Sequence, residues 1–146
     1  MGFFTRREKP ADNTLTVKST KLGKNTPKIQ INSDAYSIKD GTIILNLEKV
    51  LELSQVGGSA AIVNDQEQVY LIIARTAENE YVVASSQCTH HDKPLVYDHE
   101  TKTFTCVSRK SVFKLDGSII KGPTDISLRI YQSHLQQENL TIALSN

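Results

Sequence analysis

The chain is short of several things, and each shortage narrows what it can be. No apolar run approaches the roughly 20 residues that a membrane-spanning helix needs, so no segment reads as a bilayer span. A surplus of one charge is missing too: 17 basic and 16 acidic residues leave a formal net charge of +1. Without a basic field, nucleic acid is not the expected partner. Only two cysteines are present, too few for a disulfide framework. The pair Arg6-Arg7 is followed by Glu8, Lys9 and Pro10 rather than by an apolar stretch, which makes it a poor export signal. Met1-Gly2 is followed by Arg6 where a myristoylation pattern asks for Ser or Thr. These absences point to a cytoplasmic protein, or to one from which a leader has been removed. Internal repeats and long helical periodicity are lacking as well, and 146 residues fit one domain with or without a tail.

What is present is mostly β pattern. Residues 1–27 are polar, rich in Lys, Thr and Asn, and carry no period; they read as a disordered N-terminal arm. The arm's basic residues read as a solvated tail rather than as a contact for an acidic partner or membrane surface. From 28 onward a single domain is expected. Residues 28–31 fit a short edge strand, and the β-branched run 42–47 follows a turn signal at Asp40-Gly41. Residues 48–55 suit one helical turn or an irregular segment ending at Gly57-Gly58. Segments 59–63, 68–75 and 81–84 form a meander, and 68–75 is apolar on both faces, as a doubly covered central strand is. Leu71, Ile73 and Val83 are assigned to the core. A hairpin is expected over 95–105 and a tight turn at Asp116-Gly117 between 111–114 and 118–120. Strands at 128–132 and 140–144 follow. Close strand spacing without long helices means an all-β sandwich or barrel.

The chemistry is concentrated between Gln87 and Lys114. This stretch holds both cysteines and three of the four histidines: Cys88-Thr89-His90-His91, then a hairpin-length insert carrying His99, then Cys106-Val107-Ser108-Arg109. Thiolate and imidazole suit iron in an Fe–S cluster, and they suit zinc. A hairpin between two such arms would set two metal-binding loops side by side at one end of a β-core.

The arms resemble the Rieske iron–sulfur family, which carries Cys-x-His in its first loop and Cys-x-x-His in its second. Ser111, Phe113, Asp116, Gly117, Gly122-Pro123, Leu128 and Tyr131 are similar to the family's markers after the second loop. Gly57-Gly58-Ser59 and Ala84-Ser85 are similar to it upstream, so the likeness spans roughly residues 40–145. It implies an all-β, Rieske-like sandwich of antiparallel sheets, with a base at 40–87 and 118–146 and a small two-loop cap at 88–117. It also implies a [2Fe–2S] cluster with Cys88 and Cys106 on one iron and His90 on the other. The implied role is an electron-transfer component that serves an oxidoreductase partner, rather than a stand-alone catalyst or a complete oxygenase. Lys93 and Ser108 stand where the cytochrome-complex branch has its disulfide cysteines, so that staple is missing, as in the soluble ferredoxin branch.

The fourth ligand position falls on Arg109. A guanidinium stays protonated in proteins and has no lone pair to offer a metal. Four readings are open at this point. In one, a [2Fe–2S] cluster is kept with a non-standard fourth ligand, namely Arg109, His91 or a water. In another, the cluster is lost and the fold survives as a binding or regulatory subunit of an oxidoreductase, with Arg109 a recognition or structural cation that pairs with Asp92 or an anionic partner. A third is zinc held by Cys88, His90, Cys106 and either His91 or His99. In the last, the cysteines are buried thiols or one disulfide, and the histidines are surface groups. The electron carrier is the reading adopted and the cluster-free subunit its alternative. His99 and His134 are expected to be solvated, and Phe113 and Pro123 to pack over the loops.

Overall fold

The computed structural model describes residues 29–89, 93–108 and 110–145; the arm expected at 1–27 lies outside them. Among the described residues the strands are β1 (Tyr36–Lys39), β2 (Thr42–Asn46), β3 (Ser59–Asn64), β4 (Val69–Ala77), β5 (Glu80–Ser85), β6 (Leu95–Asp98), β7 (Thr103–Cys106), β8 (Val112–Lys114), β9 (Ile119–Lys121), β10 (Ile130–Tyr131), β11 (Ser133–Gln136) and β12 (Asn139–Ala143). They form antiparallel four-stranded sheets in the orders β11-β12-β2-β1, β10-β5-β4-β3 and β9-β8-β7-β6. The first two sheets make the base and the third makes the cap.

Side-chain alternation explains the base. In β2, Ile43 and Leu45 are fully buried while Ile44 between them is exposed, as the two-residue period of a strand dictates. Opposite them in β12 stand Ile142 and Leu140, also buried, so the cross-strand pairs Leu45–Leu140 and Ile43–Ile142 face the core together. Leu71, Ile73 and Val83 join this base core as expected.

The strand β4 is buried on both sides. Leu71 and Ile73 face the base core, while Ile72 and Ala74 belong to a second buried cluster with Ala84, Leu95, Phe104, Phe113 and Leu128. That second cluster lies between the central sheet and the cap, so one strand supplies side chains to both cores.

Some elements differ from expectation. Where one helical turn or an irregular segment was expected over 48–55, residues 47–53 form two short 3-10 turns, Leu47–Lys49 and Leu51–Leu53. Near 28–31, Gln30 bridges in parallel to Ala61, with the Ile31 N–H on the Ala61 carbonyl at 2.6 Å. The strands β1 and β11 were not anticipated. Both are edge strands with alternating half-buried and exposed residues, and so lack the apolar signal that betrays a central strand. Beyond residue 117, where the cap was expected to end, β9 pairs with β8 and continues the cap sheet. Asp116-Gly117 makes the hairpin that folds it back: Asp116 Oδ1 accepts from the Ser118 N–H at 2.9 Å, and Gly117 has φ +92°. No helix among the described residues is long and apolar enough to cross a membrane.

Candidate metal centre

The first loop is anchored at both ends by backbone pairing. Just past β5, the Ser86 N–H donates to the Tyr70 carbonyl and the Ser86 carbonyl accepts from Leu95, each at 3.0 Å. Gln87 then bridges to Pro94, and the Cys88 N–H donates to the Lys93 carbonyl at 2.9 Å. The second arm follows the same ladder. Cys106 ends β7 opposite Leu95, and the Val107 N–H reaches the Pro94 carbonyl at 3.1 Å. The hairpin of β6 and β7 therefore does what its length predicted, delivering both cysteines to one end of the cap.

Cys88 and Cys106 lie in the same buried cluster, 3% and 0% exposed, walled by Phe104, Phe113 and Leu95. They are not joined in a disulfide. His90, His91, Asp92 and Arg109 lie outside the described residues. Among the described residues no group of three or more His, Cys, Asp or Glu side chains could hold a metal ion. The structure thus places the two cysteines in one buried cluster, and His90, His91 and Arg109 fall outside what it describes.

A third loop, residues 122–128, closes over this end. The Thr89 hydroxyl donates to the Ile126 carbonyl at 2.8 Å and lies 2.9 Å from the Thr124 hydroxyl, which in turn accepts from the Ile126 N–H at 3.0 Å. Gly122, at φ +130°, runs its backbone against the second loop. A Cβ there would sit 2.6 Å from both the Lys110 carbonyl oxygen and the Ser111 Oγ, so only glycine permits the approach. Pro123 is exposed, and so does not pack over the site as anticipated, whereas Phe113 is fully buried beneath it.

Two serines flank Cys106. Ser108 Oγ lies 3.1 Å from Cys106 Sγ. Ser111 is fully buried, and its Oγ has no hydrogen-bond partner. Its carbonyl accepts from the Cys106 N–H at 2.9 Å, which places the residue directly across the second loop from that cysteine. A buried hydroxyl without a partner is uncommon and asks for an explanation. A dry end of a sheet carrying two thiols and an unsatisfied donor fits an Fe–S cluster, whose sulfurs accept hydrogen bonds. Thr89, Ser108 and Thr124 were not singled out from the sequence as site residues. A hydroxyl two residues from a cysteine on a loop was a usable signal for Ser108, but nothing local marks a contact between Thr89 and Thr124.

His99 differs from expectation. It is half-buried, its ring packs on Gly57 of the base, and its Nδ1 lies 2.9 Å from the Tyr97 hydroxyl and 3.1 Å from Lys102 Nζ. The Tyr97 phenol titrates above its ordinary range because it is partly buried and because the Asp98 carboxylate is near. His99 therefore serves the seam between cap and base at the turn of the hairpin. His134 lies exposed on β11, as expected.

A family model describing the Rieske [2Fe-2S] domain matches residues 46–132, more than half of the chain. The chain belongs to that family. Among the solved structures similar in fold are two from carbazole 1,9a-dioxygenase systems. The ferredoxin of carbazole 1,9a-dioxygenase from Nocardioides aromaticivorans IC177 superposes with a TM-score of 0.57 at 16% identity, over 70% of this chain and 95% of that one. A chain from the complex of reduced oxygenase and oxidized ferredoxin in carbazole 1,9a-dioxygenase superposes with a TM-score of 0.53 at 17% identity, over 61% of this chain and 82% of that one. No curated protein matches the sequence.

Proposed function

We propose that this protein is a one-electron carrier that holds a [2Fe–2S] cluster and passes electrons to an oxidoreductase partner. The observation that carries the reading is the shared burial of Cys88 and Cys106 beside the partnerless Ser111 hydroxyl. Cys88 and Cys106 would hold one iron and His90 the other, with the fourth position falling to Arg109, His91 or a water. When bound, the cluster would take up and release one electron at a time. The protein's own part is to keep water from the sulfurs with Phe104, Phe113 and Leu95, and to fix both loops through the Pro94 and Ser86 backbone bonds. The partner class is supported by the fold shared with the carbazole dioxygenase ferredoxin, which is found in complex with its oxygenase.

Iron and acid-labile sulfide analysis of anaerobically purified protein tests this. The expected result is about two irons and two sulfides per chain, as a [2Fe–2S] centre requires, with an EPR signal on reduction. Colourless protein that takes up no iron on reconstitution would overturn it.

The second reading, a cluster-free binding or regulatory subunit, is favoured by one feature: Arg109 at a ligand position. Arginine substitutions separate the two. Loading that appears only in Arg109→His marks a degenerate site in the native chain. Loading of the native chain that is lost in Arg109→Ala assigns the arginine to the centre.

A further inference from the structure

We infer that Ser108 sets the reduction potential of the centre by donating its hydroxyl proton in a hydrogen bond to the Cys106 sulfur. The inference rests on the electron-carrier reading above. The Oγ–Sγ distance is 3.1 Å, within hydrogen-bonding reach for sulfur. With Cys106 as a thiol, either atom could donate. A metal-bound thiolate has no proton, so Ser108 becomes the donor and Cys106 the acceptor.

The geometry is held by the main chain rather than by chance packing. The Cys106 N–H is bonded to the Ser111 carbonyl at 2.9 Å, and the Val107 N–H to the Pro94 carbonyl at 3.1 Å, which together fix the turn that carries Ser108. Cys106 is fully buried, so the bond is formed in a medium of low dielectric, where it is electrostatically stronger than in water. Donation to a ligand sulfur draws electron density from the metal. The reduced cluster carries one more negative charge than the oxidised cluster, so the bond stabilises it more. The result is a raised potential, the established lever of hydrogen bonds to cluster sulfurs.

The position is distinct from Ser111. Ser111 is fully buried with no protein partner, whereas Ser108 is half-buried and already engaged with the ligand sulfur. A residue that acts through a ligand in this way is a positioning and tuning residue, not a catalytic one.

The experiment uses the full chain loaded with its cluster and reads potential rather than activity. EPR-monitored redox titration is run on the native chain, Ser108→Ala, Ser108→Gly and Ser108→Thr, with iron and sulfide content measured in parallel. Resonance Raman spectra of the Fe–S(Cys) stretches are recorded in H2O and D2O. Ser108→Ala and Ser108→Gly should load normally, show a lower midpoint potential, and lose part of the deuterium sensitivity of those stretches. Ser108→Thr, which keeps the hydroxyl, should stay close to the native values. Unchanged potential and unchanged deuterium sensitivity in normally loaded Ser108→Ala would overturn the inference. Loading lost in Ala and Gly but kept in Thr would show that the hydroxyl holds the cluster in place rather than tunes it, and would overturn the inference. Loading lost in all three would mean that the position is only structural and would also overturn it. A native chain that binds no iron overturns the electron-carrier reading itself, an outcome distinguishable from all of these.

Discussion

A hydroxyl buried without a partner costs about 1–3 kcal/mol of stability. Ser111 Oγ is so placed, fully buried and beside the loop of Cys106. A bound cluster would bring sulfur acceptors into the same volume, so the sign of Ser111→Ala should depend on loading. In the cluster-free protein the substitution removes an unsatisfied donor, and the melting temperature should stay level or rise. In the loaded protein it removes a hydrogen bond, and iron should be lost to a chelator faster than from the native chain. Thermal unfolding of both forms, with timed chelation of the loaded one, checks this; a melting temperature that falls in the cluster-free form would show that the hydroxyl has another role. Gly122 gives a second prediction at this scale. An added Cβ meets the Lys110 backbone oxygen at 2.6 Å, and the residue's φ is +130°, so the clash cannot be relieved by a side-chain rotation. Gly122→Ala should destabilise the protein by about 1–3 kcal/mol, the usual scale of local backbone strain, measurable as a lower urea midpoint. Single residues of this kind were only partly legible. Cys88 and Cys106 stood out by type and spacing. Ser111 stood out through family resemblance, but its missing partner could be seen only in three dimensions.

Elements were legible where local chemistry is strong. Asp40-Gly41 and Asp116-Gly117 announced their turns, and the apolar run around Ile72 announced a strand covered on both faces. Legibility failed at β1 and β11, whose polar edges carry no core signal, and at the contact between Thr89 and the 122–128 loop, which joins segments far apart in sequence. The hairpin at Asp116 allows a pH prediction. Its carboxylate is held below the usual range by the Ser118 hydroxyl first and the Ser118 N–H second, with the hydroxyl at 2.6 Å. A carboxyl whose folded pKa is depressed contributes stability above its unfolded pKa and loses it as pH falls through the folded value. The turn should therefore be fully formed at neutral pH and loosen only in acid, below the ordinary carboxylate range. The Ser118 amide resonance, followed by NMR from neutral to acid pH, should shift with that low midpoint. Asp116→Asn should abolish the titration; an unchanged Ser118 profile in that variant would refute the assignment.

At the scale of the molecule, the question is whether the cap is an independent unit set on the base. The packing argues against it. The core beneath the cap takes Ile72, Ala74 and Ala84 from the central sheet, and the next residues along the same strands, Ile73 and Val83, belong to the base core. Because successive side chains of one strand alternate between faces, β4 carries both cores on a single backbone, and loosening its packing on one face disturbs the segment that presents the other. The His99 ring against Gly57 adds a second seam between cap and base. Cap and base should therefore unfold together. Removing either buried isoleucine of β4 by Ile72→Ala or Ile73→Ala should cost about 2–5 kcal/mol, the range for large-to-alanine core changes. Although Ile72 faces the cap and Ile73 the base, each substitution should lower the protection of the slowest-exchanging amides in β7 and in β2 by the same amount in native-state hydrogen exchange. If Ile72→Ala instead weakened only the β7 amides and left those of β2 at native protection, the cap would open on its own. The two cysteine loops would then rest on a separately folding lid rather than on the sandwich.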